Sequence, residues 1–353
     1  MTTILLTGAA GRVGRRVLAL LAAAPDVDRV VAIDMVTVPM THPKVERHRL
    51  DIRVDDAGPL LGGADAVVHL AFADDDGGRR RGRDGDGTEA LLAAASAAGV
   101  RQVVALSSAL VYGAWPNNPL PLTEDAPLRP NAELRHAVER ARTELLLAGW
   151  AADDPERVAG VLRPCTALAP DGSSPMARSL AAATGTRTLE EEPARQFVHL
   201  DDLATAVEVV RRTRLDGPVN VAPDGWIAGD VVRDLSGVAP KTAMPVKVAR
   251  LLARIRWRFQ RGPIPPGLLP YTAYPWLVAN DRLKAAGWVP RYTNEQAYVA
   301  GTEARWWTML SPNRKQELAL AIAGVGAASV ALGVGLLLRR VVRRARRSRA
   351  SPH

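Results

Sequence analysis

Hydrophobic positions in the first half of the chain switch repeatedly between two periods. Residues 4–7, 29–33, 66–70, 102–107 and 158–163 are short runs rich in valine, isoleucine, leucine and alanine, the signature of buried strands. Residues 12–23, 88–98 and 133–150 return an apolar side chain every three or four positions, as one-sided helices do. Strand–helix–strand units of this length call for a parallel sheet with helices on both faces, an α/β fold. After about residue 163 the apolar runs thin out and prolines multiply, which predicts a smaller, helix-rich lobe woven onto the sheet. The glycine- and arginine-rich stretch 74–87 reads as a loop.

The far end follows a third pattern. Residues 318–338 are twenty-one positions without a charge, spanning about 31 Å as a helix, or about one hydrocarbon core. Trp306 and Trp307 precede it by about three turns, where indoles favour a lipid interface. Ala327, Ala331 and Gly335 recur every four positions, a spacing that lets helices approach closely and permits a homodimer or a membrane partner. Residues 4–7 are too short to be a secretory leader. The expected organisation is a sheet domain over 1–163, an interwoven substrate lobe over 164–300, a linker over 301–317, a transmembrane helix over 318–338 and a basic tail over 339–353.

Charge reinforces this division. The 353 residues carry a formal +9, but seven arginines lie in the last fifteen positions with no acid among them. Without those seven the charge falls from +9 to +2, so a basic tail sits on a nearly neutral body. No strand interleaves basic and aromatic residues, and no nucleic-acid partner is expected. Residues 247–261 form a second basic stretch, with Lys247, Arg250, Arg254, Arg256, Arg258 and Arg261 around Val248, Leu251, Leu252, Ile255 and Phe259 at helical spacing. Such a helix either caps the lobe in solvent or lies on an anionic membrane. The positive-inside rule puts the tail in the cytoplasm, in tension with a single span and a cytosolic body. The expectation is a cytoplasmic domain anchored to the cell membrane, tail topology open. One cysteine, Cys165, excludes an internal disulfide and a cysteine zinc site. Asp74, Asp75 and Asp76 read as solvent-facing, and no metal is expected.

Chemistry enters at residues 7–14, Thr-Gly-Ala-Ala-Gly-Arg-Val-Gly, between the first strand and the first helix. Gly8 permits the tight turn, Gly11 lets backbone approach a pyrophosphate, and Gly14 allows close helix–strand packing, while Arg12 and Val13 open the helix whose N-terminus faces the phosphates. Twenty residues after Gly14, Asp34 ends the second strand, where a carboxylate accepts from the adenosine ribose hydroxyls. That carboxylate repels a 2′-phosphate and favours NAD over NADP, although Arg12, Arg15 and Arg16 lie close by. The fold expected is therefore a Rossmann-type doubly wound parallel sheet.

These residues resemble the extended short-chain dehydrogenase/reductases of the NAD-dependent epimerase/dehydratase group. Asp51-Ile52-Arg53 looks like the element whose acid and apolar residue hold the adenine in that family. His69-Leu70-Ala71 is similar to the strand end passing beneath the cofactor. Gly87-Thr88 with Leu91 and Leu92 looks like the next helix, with Asp84 where the family has asparagine. Ser107-Ser108-Ala109-Leu110-Val111-Tyr112-Gly113 resembles the run carrying the catalytic hydroxyl, at Ser108. Arg163-Pro164, Phe197-Val198-His199-Leu200-Asp201-Asp202, Asn220-Val221 and Ala286-Gly287-Trp288-Val289-Pro290 resemble landmarks of the substrate lobe. The likeness covers about residues 3–300.

The resemblance implies a tyrosine acid/base with a lysine one helical turn later. Spacing from Ser108 puts His136 and Arg140 at those two positions. No tyrosine lies between Tyr112 and Tyr271, and no lysine between Lys44 and Lys241. Two readings stay open. His136 exchanges the proton while Arg140 holds the ribose and keeps the imidazole neutral, or the catalytic role has lapsed. The expected functions are hydride transfer on a nucleotide sugar or a lipid-linked carbinol, a lapsed NAD-binding sensor or scaffold, or a 3β-hydroxysteroid dehydrogenase-like enzyme.

Overall fold

The central strands of the sheet carry side chains buried on both faces, as a doubly covered parallel sheet requires. The computed structural model describes residues 2–71, 84–171, 173–183, 193–236 and 266–302, with the single residues 248, 251 and 255. Strands β1 (Thr3–Thr7), β2 (Arg29–Asp34), β3 (Val45–Arg49), β4 (Ala66–His69), β5 (Gln102–Leu106), β6 (Val158–Pro164) and β9 (Gly217–Val221) form one parallel sheet in the order β3-β2-β1-β4-β5-β6-β9. A pair of three-residue strands, β7 (Thr166–Leu168) and β8 (Phe197–His199), forms a second, parallel sheet.

Helices α1 (Arg12–Ala23) and α5 (Leu200–Thr213) cover one face and α2 (Asp84–Ala97) and α3 (Arg135–Ala152) the other. In α1, Gly14, Val17, Leu18, Leu21 and Ala22 are buried, a stripe at three- and four-residue spacing against the sheet. Five further helices follow the same chain order: α4 (Pro175–Ala183) precedes α5, and α6 (Gly229–Ser236), α7 (Leu269–Ala273), α8 (Asp281–Ala285) and α9 (Asn294–Gly301) follow it. The chain from 281 onward is pinned by buried Asp202, whose carboxylate accepts from the amides of Arg291 (3.0 Å) and Tyr292 (2.9 Å). Tyr298 meets Phe197 with ring centroids 4.8 Å apart, closing a small core over β7 and β8.

Several expectations are corrected here. The loop predicted over 74–87 gives way at Asp84, where α2 begins, four residues before the predicted start. The hydrophobic pattern missed β3, β7, β8 and β9. Residues 2–302 that are described fall in one compact unit, Met1–Glu303. Among the described residues no helix is long and apolar enough to cross a membrane. The predicted transmembrane helix 318–338, the tail 339–353, Trp306, Trp307 and residues 74–76 lie outside the described residues, as does 247–261 apart from Val248, Leu251 and Ile255.

Candidate functional site

β1 and β4 are neighbours whose chains depart in opposite directions, β1 toward β2 and β4 toward β5, so a crevice opens at their C-terminal ends. Gly8 turns the chain there with φ +70°. A Cβ on Gly8 would lie 2.7 Å from the Ala71 nitrogen and the Leu70 carbonyl, so the two strand ends touch backbone to backbone. Gly11 caps α1 without any side-chain hydrogen bond, and a Cβ on it would sit 3.0 Å from the Gly8 oxygen. The turn is thus bare backbone ending at the positive pole of a twelve-residue helix.

Asp34 closes the turn from the side. Its Oδ2 accepts from the Ala10 amide at 2.9 Å and its Oδ1 from the Val36 amide at 3.2 Å. Arg16, an initial candidate for a 2′-phosphate, is instead ion-paired with Asp171 (2.7 Å) and Asp201 (2.5 Å), tying α1 to α5. Asp51 and Ile52 flank the same side. The Asp51 carboxylate accepts from Arg53 Nε (2.9 Å) and Nη2 (2.7 Å), and Ile52 is buried beside Gly87. These residues fit a dinucleotide: the N-terminus of α1 for the pyrophosphate, a carboxylate for ribose hydroxyls, and an apolar shelf for the base.

Beneath the turn runs a buried polar chain that sequence reasoning missed. Thr7 Oγ1 lies 2.8 Å from His69 Nδ1 and accepts from the Ala71 amide at 3.2 Å, while His69 Nε2 lies 3.0 Å from Thr88 Oγ1. If Thr7 donates to Nδ1, Nε2 carries the proton and donates to Thr88, which satisfies all three groups. Burial, helped by the charge of Arg140, pushes the His69 imidazole down to about 3. The register pairing Thr7 with His69 across β1 and β4 is what brings them together.

The other half of the crevice is a cleft of about 1000 Å³, counting its open mouth, that joins Gly8, Gly11, Arg12, Val13 and Gly14 to Ser108, His136 and Arg140. Ser108 ends the loop after β5 and accepts from the Leu110 amide at 3.2 Å, capping the short turn Ala109–Tyr112. His136 and Arg140 stand one turn apart on α3. His136 is partly exposed; burial, then the Arg140 charge, pushes its imidazole down to about 3, so it stays neutral. Arg140 Nη1 donates to the Leu106 carbonyl at 3.1 Å, holding α3 against the end of β5. The structure therefore gathers all three proposed catalytic positions with the glycine turn, while Asp34, Asp51 and Ile52 flank that turn.

Behind Ser108 lies a second buried network. Arg163 bonds Glu144 (2.6 Å from Nη2, 3.0 Å from Nε) and donates to the Tyr112 hydroxyl at 2.7 Å. Ser107 donates to Glu144, and Tyr112 donates to Asn220 Oδ1 at 2.8 Å. Burial raises the Tyr112 phenol to about 12, so it stays protonated as a donor. His199 caps α5 by accepting from the Asp201 amide at 3.2 Å, a structural task. Cys165 is buried, which raises its thiol well above the usual range. Among the described residues no group of three His, Cys, Asp or Glu could hold a metal ion.

The sequence matches the model of the NAD dependent epimerase/dehydratase family over residues 4–222. The uncharacterized proteins Rv0501 of Mycobacterium tuberculosis and Mb0513 of Mycobacterium bovis are each 26% identical over 234 residues, 63% of this chain. The matched region spans 62% of the length of those relatives. Among solved structures, MoeE5 in complex with UDP-glucuronic acid and NAD is similar with TM-score 0.64 and 23% identity, covering 87% of this chain and 98% of its own. The Thermus thermophilus UDP-glucose 4-epimerase complex with NAD gives 0.64 and 20%, over 85% and 97%. A double mutant of the Streptomyces venezuelae dTDP-glucose 4,6-dehydratase DesIV with NAD bound gives 0.62 and 21%, over 84% and 95%. These likenesses establish the fold.

Proposed function

Since this chain belongs to the NAD dependent epimerase/dehydratase family, we propose that it is an NAD-dependent oxidoreductase acting by hydride transfer on a nucleotide sugar or a lipid-linked carbinol. The observation that carries this reading is one continuous cleft holding both the glycine turn and the Ser108, His136, Arg140 cluster. The NAD-bound neighbours support the cofactor. Bound there, NAD supplies the hydride acceptor at C4 of its nicotinamide ring.

The chain's own residues do the rest. Gly8, Gly11, Arg12, Val13 and Gly14 receive the pyrophosphate, Asp34 the adenosine ribose, Asp51 and Ile52 the adenine, with Leu70 and Ala71 beneath. Asp34 repels a 2′-phosphate, so NAD is preferred over NADP. Ser108 orients the substrate oxygen. His136 takes the hydroxyl proton as the carbon–oxygen double bond forms and the carbinol hydrogen leaves as hydride. Arg140 sets the positive field that keeps His136 ready to accept.

A second reading rests on the same geometry. An imidazole held near 3 is a weak base at neutral pH, and Arg140 is committed to the Leu106 carbonyl. These facts favour a lapsed NAD-binding sensor or scaffold. His136→Ala separates the two readings. In the enzyme it abolishes substrate-driven reduction of NAD while leaving cofactor affinity within twofold. In the sensor, wild-type protein shows no such reduction.

For location, the proposal is a cytoplasmic domain anchored to the cell membrane through 318–338, with 247–261 against the lipid. Exposed Val248, Leu251 and Ile255 support the second contact. Protease protection of a C-terminal epitope, compared in intact and lysed cells, tests the anchor and the side on which the tail lies.

A further inference from the structure

Leu110, Cys165, Met176, Ala177, Leu180 and Trp276 line the cleft and form a largely apolar wall, with the hydroxyl side chains of Thr166 and Ser174 set among them. Leu110, Cys165, Ala177 and Leu180 are buried core side chains. The one polar atom of Trp276, its Nε1, donates to the Tyr271 carbonyl at 3.0 Å, which leaves hydrocarbon for the cleft. Tyr271 in turn donates to the Leu110 carbonyl at 2.7 Å, so the wall is fixed by bonds made behind it.

Among the described residues, two cations near this wall, Arg178 and Arg195, make bonds elsewhere. Arg178 Nη1 donates to the Ser173 carbonyl at 2.8 Å. Arg195 donates to the carbonyls of Tyr271 (3.4 Å) and Thr272 (2.8 Å). Among the described lining residues, Arg12 at the glycine turn and Arg140 are the charged ones. A diphosphate brings negative charges that are costly to take from water without paired cations, and a sugar brings hydroxyls that each need a partner. Hydrocarbon walls reward the opposite kind of ligand.

We propose, resting on the NAD-dependent oxidoreductase reading above, that the substrate is a carbinol or ketone on an apolar body, its single reacting oxygen at Ser108 and His136. The oxygen meets the polar pole of the cleft and the hydrocarbon body meets Met176, Leu180 and Trp276.

The test uses the full chain in lipid nanodiscs, loaded with NADH and followed by nicotinamide fluorescence and calorimetry. The probes are decahydro-2-naphthol, UDP-glucose and dTDP-glucose. The expected result is that the decalin alcohol binds at least tenfold more tightly than either nucleotide sugar. Met176→Asp should weaken the decalin alcohol at least tenfold with NADH affinity unchanged, whereas Met176→Leu should retain it. That contrast separates binding in the cleft from partition into lipid, which neither variant alters. Tighter binding of a nucleotide sugar, no binding of any probe to the NADH-loaded protein, or indifference to Met176→Asp would each overturn the inference. Failure to bind NADH at all would remove the cofactor reading itself, an outcome visible before any probe is added.

Discussion

Gly14 stands over the carbonyl of Gly8 so closely that a Cβ on Gly14 would fall inside that oxygen's van der Waals shell. Both contacting atoms are backbone, so no rotamer change can relieve the clash. Gly14→Ala should therefore open the turn, lower NADH affinity at least a hundredfold and reduce Tm. Gly11→Ala, whose Cβ would meet the same oxygen at 3.0 Å, should cost less than tenfold. Fluorescence titration with NADH measures both, and equal losses would contradict the geometry.

On the proposed reading Asp34 faces the approach of a 2′-phosphate; its carboxylate is tied to the Ala10 and Val36 amides. Asp34→Asn removes the charge and keeps an oxygen acceptor for the turn. The ratio of NADP to NAD dissociation constants should fall about tenfold, a change of about 1.4 kcal/mol. Calorimetric titration with both cofactors checks this.

His69 and His136 are both held near 3 in the folded protein, against a reference of 6.5. The unfolded chain therefore binds protons that the folded chain refuses. Their contribution to stability is complete above about pH 6.5, declines as pH falls toward 3, and changes no further below that. Each adds a slope of about 1.4 kcal/mol per pH unit within that window. Of the six histidines, these two should show constant Cε1 proton shifts in NMR spectra from pH 8 to pH 5. His69→Gln should flatten the acid limb of urea-unfolding stability.

Arg163 and Glu144 form a buried pair in which each partner answers for the other's charge. Arg163→Met strands the carboxylate and should cost about 3–5 kcal/mol. Combining it with Glu144→Gln should recover part of that loss. A urea-unfolding cycle over the two single variants and the double variant measures the coupling.

Residues 247–261 carry six basic residues and no acid. Changing Arg250, Arg254, Arg256 and Arg258 to glutamine in a chain ending at residue 317 should abolish sedimentation with anionic liposomes. Retained binding would remove the lipid contact.

How much of this was legible in sequence depended on distance along the chain. The glycine turn is local, and residues 7–14 carried their own signal; in the structure Gly8 takes a positive φ and Gly11 and Gly14 both close on its carbonyl. β3 was invisible to hydrophobic pattern because Val45–Arg49 is an exposed edge strand of mostly charged residues. β7 and β8, at three residues each, are too short to show a period. The Thr7–His69–Thr88 chain joins positions 62 and 19 residues apart, which no single-sequence spacing announces. Only the register of β1 on β4 makes them neighbours. Glu144 and Arg163 stand 19 residues apart, and their pairing inside the core needed the fold to become apparent.

The order of strands has one further consequence. Parallel neighbours β6 and β9 cannot be joined by a tight turn and need a crossover, which α5 supplies. The stretch between β6 and α5, carrying β7, α4 and β8, is not required for that crossover. It is a detour, leaving and rejoining the path at fixed points. Met176, Ala177 and Leu180 lie on this detour, whereas Gly8, Gly14 and Asp34 lie on the obligatory path. On the proposed reading, part of the ligand wall thus lies on the detour and the cofactor turn on the obligatory path, so Met176, Ala177 and Leu180 can change while the sheet keeps its register.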